Sequence, residues 1–268
     1  MKNIGDSVSF LAVTRGIGCP AWQRTVARWR DGEHWTYVEL AGFSDISQAR
    51  SALASEWLAH WGTHWALWLD DDIEIAWDDL ILFVQRAIES PYEMICANYA
   101  GKTPGGGLLT TRFKDTTGVV LGDGGGYYPV LGCGFGCVMV RASAFHTIAA
   151  HLPLVRWERP ACIGRPYFLG MIIQDQNDPD GPRVQLGEDY SFCQRARACR
   201  TEIVCDTRTR LWHHGDYRYG VEDADAMLQR FERLEVSAMK RCESSNAYPS
   251  ELAEDLGRII AGAKGNVE

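Results

Sequence analysis

The chain has 268 residues, 46% of them hydrophobic and 23% charged, enough to bury one large core or two modest ones, which excludes intrinsic disorder. Its 27 Lys and Arg against 35 Asp and Glu give a formal charge of -8, which argues against broad binding to a nucleic-acid backbone. No apolar run reaches the roughly 18 residues of a membrane span, and no apolar leader follows Met1, so no transmembrane segment and a cytoplasmic location are expected.

In chain order, residues 8–14 read as a buried strand, 21–30 as a helix and 34–40 as a second strand. The stretch "SDISQARSALASEWLAHW" opens with cap-forming residues and carries Ile46, Ala49, Leu53 and Trp57 at helical spacing; residues 64–69 then form a third strand. Strands alternating with helices predict parallel pairing, right-handed crossovers and ligands at the carboxyl ends of the strands. A helix over 77–89 leads into a strand over 92–98. From 101 to 136 glycine dominates, compatible with hairpin turns or with backbone approaching a ligand. "GCVMV" returns to the core, 152–182 reads as a long exposed loop, 187–199 as a helix, and "TEIVCD" and "RLWHHG" as strands. An amphipathic helix is expected over 223–242.

Nine cysteines form no dense framework and read as reduced thiols. Cys193 and Cys199 lie on one predicted helix, turned about 240° apart, so a shared zinc ion is not expected.

The chemistry concentrates where "LWLDDDI" ends the third strand. Three adjacent carboxylates, Asp70, Asp71 and Asp72, raise one another's pKa unless a cation or donors offset them. The Asp-x-Asp spacing of Asp70 and Asp72 suits a hard divalent ion such as Mg²⁺ or Mn²⁺; a solvated acidic loop preceding Asp78 and Asp79 is the competing reading. Glu188 and Asp189 open a helix, where the dipole favours negative charge, as a cap or as a general base. His213 and His214 close a strand and point to opposite sides, so one of them at most faces a given ion.

The ordered series "QAR", "LWLDDDI", "GCGFGCVMV", "GEDYSFCQRAR" and "RLWHHG" resembles the GT-A fold glycosyltransferases, specifically family-2-like enzymes that use nucleotide sugars, over roughly residues 7–220. The resemblance implies an α/β fold with a Rossmann-like mixed sheet flanked by helices, a nucleotide-sugar-binding half (1–100) and an acceptor and catalytic half (101–220); beyond it the amphipathic pattern alone reads as a helical C-terminal extension (221–268). It implies that Asp70 and Asp72 hold Mn²⁺ or Mg²⁺ on the donor diphosphate with His213 as a further ligand, and that Arg50 lies near the diphosphate. Thr14, Arg15, Glu39 and Asp71 then join Arg50 and Asp70 around the nucleotide sugar, with UDP favoured. Asp189, with Glu188 beside it, would be the base of an inverting transfer to an acceptor hydroxyl. Two positions depart from the family pattern: Ser51 stands where Asn commonly follows the arginine, and Arg200 where a glycine usually precedes "TEIVCD".

The acceptor stays open among a glycan, a protein, a small aglycone and a modified DNA base. Tyr127, Tyr128, Trp157, Tyr167 and Phe168 are candidates for stacking on it or for the core. A sugar-phosphate nucleotidyltransferase would use similar carboxylates but also a basic glycine loop after the first strand, where "TRGIGCP" has only Arg15; a non-catalytic nucleotide-sugar-binding module is the other alternative.

Overall fold

The computed structural model describes residues 4, 7–14, 16–32, 35–102, 109–114, 118–158, 162–174, 180–216, 218–221 and 233–236. The elements in order are β1 (Val8–Thr14), α1 (Pro20–Arg30), β2 (Thr36–Ala41), α2 (Ile46–His60), β3 (Trp65–Leu69), β4 (Ile73–Ile75), α3 (Trp77–Glu89) and β5 (Met94–Ala97). β6 (Arg112–Phe113), β7 (Val119–Gly122), β8 (Tyr127–Gly132), β9 (Cys137–Arg141) and α4 (Ala142–Ala149) follow. Then come β10 (Val155–Trp157), β11 (Cys162–Gly164), β12 (Met171–Ile173), β13 (Val184–Leu186) and α5 (Glu188–Ala198). β14 (Ile203–Asp206), β15 (Leu211–His214), β16 (Arg218–Tyr219) and β17 (Arg233–Val236) complete the series.

The main sheet has eight strands in the order β2-β1-β3-β9-β5-β14-β8-β6. β1 pairs parallel with β2 and β3, and β5 pairs parallel with β14, while β9 runs antiparallel between β3 and β5. The result is the expected Rossmann-like mixed sheet flanked by helices. Because β9 is the reversed strand, the carboxyl ends of β1, β3, β5 and β14 all reach one edge. Trp65, Leu67 and Leu69 of β3 join one core cluster with α1 and α3, whereas Ala66 and Trp68 join the other with α2, α4 and α5. Burial on both faces explains the unbroken apolar run that "WALWL" shows in the sequence.

The caps explain the helix starts. Cys19 Sγ accepts from the Trp22 N–H at the start of α1, with Pro20 preset for the first turn. Asp45 accepts from the N–H groups of Ser47 and Gln48 at the start of α2.

Two expectations need correction. The stretch 152–182 is not an exposed loop throughout: β10 pairs with β11, β12 pairs with β13, and Tyr167 and Phe168 are buried, with Phe168 stacked on Phe192 at 4.7 Å. Its strands are three residues long, too short for alternation to register. The tail expected to be helical contains β17, which pairs antiparallel with β7 and so satisfies backbone groups of a strand outside the main sheet. The remainder of the expected helix over 223–242, and of the extension over 221–268 apart from Val221, lies outside the described residues. Tyr127 and Tyr128 are partly buried and fixed by their hydroxyls, Tyr127 donating to Arg86 O and Tyr128 accepting from Val120 N–H. The eight cysteines among the described residues are free thiols.

Candidate functional site

The loop after β3 is held by its backbone. Asp70 N–H donates to Gly136 O, Cys19 N–H to Asp71 O and His214 N–H to Asp72 O. Three separate segments therefore fix three consecutive aspartates.

Arg50 gathers the carboxylates. It lies in the buried face of α2 and is 2% exposed. Its Nη2 donates to both oxygens of Asp70 at 2.8 Å, and its Nη1 donates to Glu188 Oε1 at 3.1 Å and to Asp189 Oδ1. The rings of Phe135 and Phe168 flank the guanidinium. Arg50 is thus directed at three side chains from the end of β3 and the start of α5, rather than standing open to a ligand. Burial works to lower the Arg50 pKa, but the charges of Asp189 and Asp70 outweigh it and hold the group charged.

One guanidinium does not neutralise three carboxylates. Burial pushes the Asp70 carboxyl up against the lowering effect of Arg50. Asp189 rises to about 7, first through burial and then through the charges of Glu188 and Asp70, although Arg50 and the Phe135 N–H pull the other way. Asp189 Oδ2 accepts that N–H at 3.1 Å, which fixes the carboxylate toward the "GCGFG" turn.

Asp72 sits in a second group. Lys102 Nζ reaches its Oδ2 at 2.5 Å, and His213 Nε2 lies 3.5 Å from the same oxygen. Burial works to raise the Asp72 pKa, but the hydrogen bonds from His213 and Lys102 bring it down to about 2. His213 Nδ1 faces Ala100 O at 3.0 Å; a carbonyl only accepts, so Nδ1 carries the proton. Nε2 is then the nitrogen that faces the Asp72 carboxylate: it donates to it when the ring is doubly protonated, and in the neutral ring its lone pair is the one turned to a cation at Asp72. His214 turns away and binds Glu74 at 2.6 Å, where Arg218 also pairs.

A divalent ion can be tested against these donors. Carboxylate oxygen and imidazole suit Mn²⁺ or Mg²⁺, and the tautomer of His213 is the ligating one. Among the described residues, however, no three His, Cys, Asp or Glu side chains already form a metal-holding group, since Arg50 engages Asp70 and Lys102 engages Asp72.

Thr14 and Glu39 meet at the ends of β1 and β2: Thr14 Oγ1 donates to Glu39 Oε1 at 3.0 Å, and Tyr37 donates to the other oxygen at 2.9 Å. Arg15 lies outside the described residues. Sequence reading brought out the carboxylates, Arg50 and His213, but missed Lys102, the Phe135 N–H and Tyr99. Tyr99 accepts from Gly136 N–H at 2.9 Å and packs edge-on to His213 at 5.1 Å. A Cβ at Gly136 or Gly134 would come within 2.6 Å of its hydroxyl, so the glycine-rich "GCGFG" lets this phenol approach. That pairing is a signal the sequence did carry.

Both departures from the family pattern acquire local explanations. Ser51 Oγ donates to Ser47 O and accepts from Phe168 N–H at 3.0 Å, so a small hydroxyl ties α2 to the segment carrying Phe168. Arg200 has φ 64°, the left-handed conformation at which glycine is usual.

No protein-family model matches the sequence, and neither does any curated protein. Solved structures do. A197 from STIV is similar with a TM-score of 0.52 and 18% identity, over 84% of this chain and 95% of that one. UDP-glucose pyrophosphorylase complexed with UDP-glucose gives a TM-score of 0.36 and 11% identity, over 77% of this chain and 75% of that one. A glycosyltransferase involved in the glycosylation of the major capsid of PBCV-1 gives 0.27 and 11%, over 52% and 62%. The likeness to A197 extends along nearly the whole of that protein and shows a shared fold.

Proposed function

We propose that this chain is a glycosyltransferase that moves a sugar from a nucleoside diphosphate, preferentially UDP, to an acceptor hydroxyl with inversion. The observation that carries the reading is the Arg50 cluster, in which one buried guanidinium holds Asp70 against Glu188 and Asp189 at the carboxyl edge of the parallel strands. At the same edge the exposed Glu39 carboxylate, oriented by the buried Thr14 hydroxyl, is the group that would meet the nucleoside.

Asp189 is the base. An acceptor hydroxyl needs its proton removed as it attacks, and a carboxylate lifted to about 7 is matched to that task at neutral pH. The Phe135 N–H orients it, and Arg50 positions it relative to Asp70. Asp72 and His213, with Asp70, would hold Mn²⁺ or Mg²⁺, Lys102 moving off Asp72. The bound ion supplies positive charge beside the donor diphosphate. Attack from the face opposite the leaving nucleotide inverts the anomeric centre, as in single-displacement glycosidases.

The test is hydrolysis or transfer with a panel of nucleoside-diphosphate sugars in the presence of Mn²⁺. Release of UDP from a UDP-sugar is expected. Release of pyrophosphate from a nucleoside triphosphate plus a sugar phosphate would establish a nucleotidyltransferase instead, and donor binding without turnover a binding module.

A further inference from the structure

Each end of the Asp-x-Asp pair is already held by a cation of the chain itself, Asp70 by Arg50 and Asp72 by Lys102. The two cations differ in whether they can leave. Arg50 is 2% exposed, and its planar fork serves Glu188 and Asp189 as well, so three carboxylates fix its place at once. The Lys102 side chain is 36% exposed, and among the described residues its ammonium makes one ion pair, to Asp72 Oδ2 at 2.5 Å. A compact charge on a flexible stem exchanges such a half-exposed partner for water at small cost.

The seat of that ammonium is nonetheless built. Ala100 O, two residues before Lys102, accepts the proton of His213 Nδ1 at 3.0 Å, so one short segment both fixes His213 and delivers the ammonium. A Cβ at Gly215 would lie 3.1 Å from Lys102 Cδ, so the glycine that ends "RLWHHG" leaves room for the lysine stem.

Lys102 Nζ and His213 Nε2 converge on the same atom, Asp72 Oδ2, at 2.5 and 3.5 Å. A divalent ion held by Asp72 and His213 needs that oxygen too, and an ammonium within a few ångströms of the ion repels it. Ammonium and ion therefore compete for one seat.

We propose that Lys102 is a built-in competitor for the divalent ion: it occupies Asp72 while the ion is absent and keeps the affinity for the ion alone low. The inference rests on the reading of Asp72 and His213 as ion ligands given above. For the proposed reaction it has a regulatory consequence. The phosphate oxygens of an arriving donor give the displaced ammonium a new partner and complete the shell of the ion, so ion and diphosphate strengthen each other's binding and the ion is retained mainly with donor present.

The full chain is titrated by calorimetry with Mn²⁺ alone and, separately, with UDP at saturating Mn²⁺. Lys102→Met, which keeps the stem and loses the charge, should bind Mn²⁺ alone about tenfold more tightly than wild type, and should melt within a few degrees of it because a half-exposed ion pair adds little stability. Lys102→Arg keeps the charge and should stay near the wild-type affinity. Adding His213→Ala to Lys102→Met should remove the gain, which assigns the ion to this seat. At saturating Mn²⁺, Lys102→Met should bind UDP about tenfold more weakly, because the phosphate loses the ammonium. The proposal is overturned by equal Mn²⁺ affinity in wild type and Lys102→Met, by the same gain in Lys102→Arg, or by a gain that survives His213→Ala. Release of UDP from a UDP-sugar together with any of these would leave the transferase reading standing without the competitor. Tighter Mn²⁺ binding by Lys102→Met with no UDP binding by any variant would establish the competitor and remove the transferase reading.

Discussion

Asp189 is a carboxylate whose charge the fold undercompensates, and two consequences follow at the scale of this residue. If Asp189 only capped α5, Asn would replace it at little loss, since the two are comparable caps. As the base, its amide replacement accepts no proton, and Asp189→Asn should lower transfer by roughly 10² to 10⁴ while UDP affinity is retained. Glu188→Gln should be far milder; near-normal transfer in the Asp189 variant with collapse in the Glu188 variant would move the base by one residue. The second consequence concerns stability. A folded pKa raised to about 7 means that the native state binds this proton more tightly than the unfolded chain, so the stabilisation is complete below the ordinary aspartate value near 4 and is lost as pH rises through 7. The melting temperature of wild type relative to Asp189→Asn should therefore fall between pH 5 and pH 8, and a difference independent of pH would contradict the shift. The carboxylates were legible in the sequence because charge massed at a strand end has few structural uses. The saturation of Arg50 was not, since contacts from residue 50 to residues 70, 188 and 189 depend on how α2 and α5 pack.

Among the elements, those with long periodic patterns were read almost to their ends, as with β1, α3 and β9. Three-residue strands such as β10 to β13 were not, because they are fixed by hairpin pairing and by the burial of Tyr167 and Phe168 between them rather than by local preference. The end of α5 shows how a sequence anomaly becomes a backbone fact. Thr201 N–H donates to Ala196 O and Arg200 N–H to Arg197 O, the paired bonds of a helix stop whose residue after the cap is left-handed. Arg200 occupies that position at φ 64°. A left-handed non-glycine residue costs about 1–2 kcal/mol, partly offset in any glycine variant by the greater freedom of its unfolded chain. Arg200→Gly should therefore stabilise the protein by roughly 0.5–1 kcal/mol in urea unfolding, with the slope unchanged. Arg200→Val, branched at Cβ, should destabilise it. A stabilised valine variant would show that the turn is not left-handed in solution.

For the whole molecule, the first five alternating elements indicated parallel pairing, but nothing local indicated that β9 inserts antiparallel between β3 and β5. That insertion has a functional consequence. Strands from residues 1–100 and from 101–220 share one sheet, and the proposed donor site draws Arg50, Asp70 and Asp72 from the first stretch and Asp189 and His213 from the second. A ligand bridging these groups binds only the folded chain, so by mass action it should stabilise the entire molecule, by about 2.7 kcal/mol at a hundredfold excess over its dissociation constant, and raise its melting temperature. UDP with Mn²⁺ should give this shift, whereas UDP with EDTA should give little, because Asp72 and His213 would lose the ion that links them to phosphate. His213→Ala should reduce the shift by weakening the ion's hold, and His214→Ala should leave most of it, since His214 binds Glu74 on the other side of the strand. Equal shifts with Mn²⁺ and with EDTA would mean that Lys102 on Asp72 supplies the positive charge for the diphosphate by itself. A shift abolished by His214→Ala but not by His213→Ala would place the ion on the opposite side of β15.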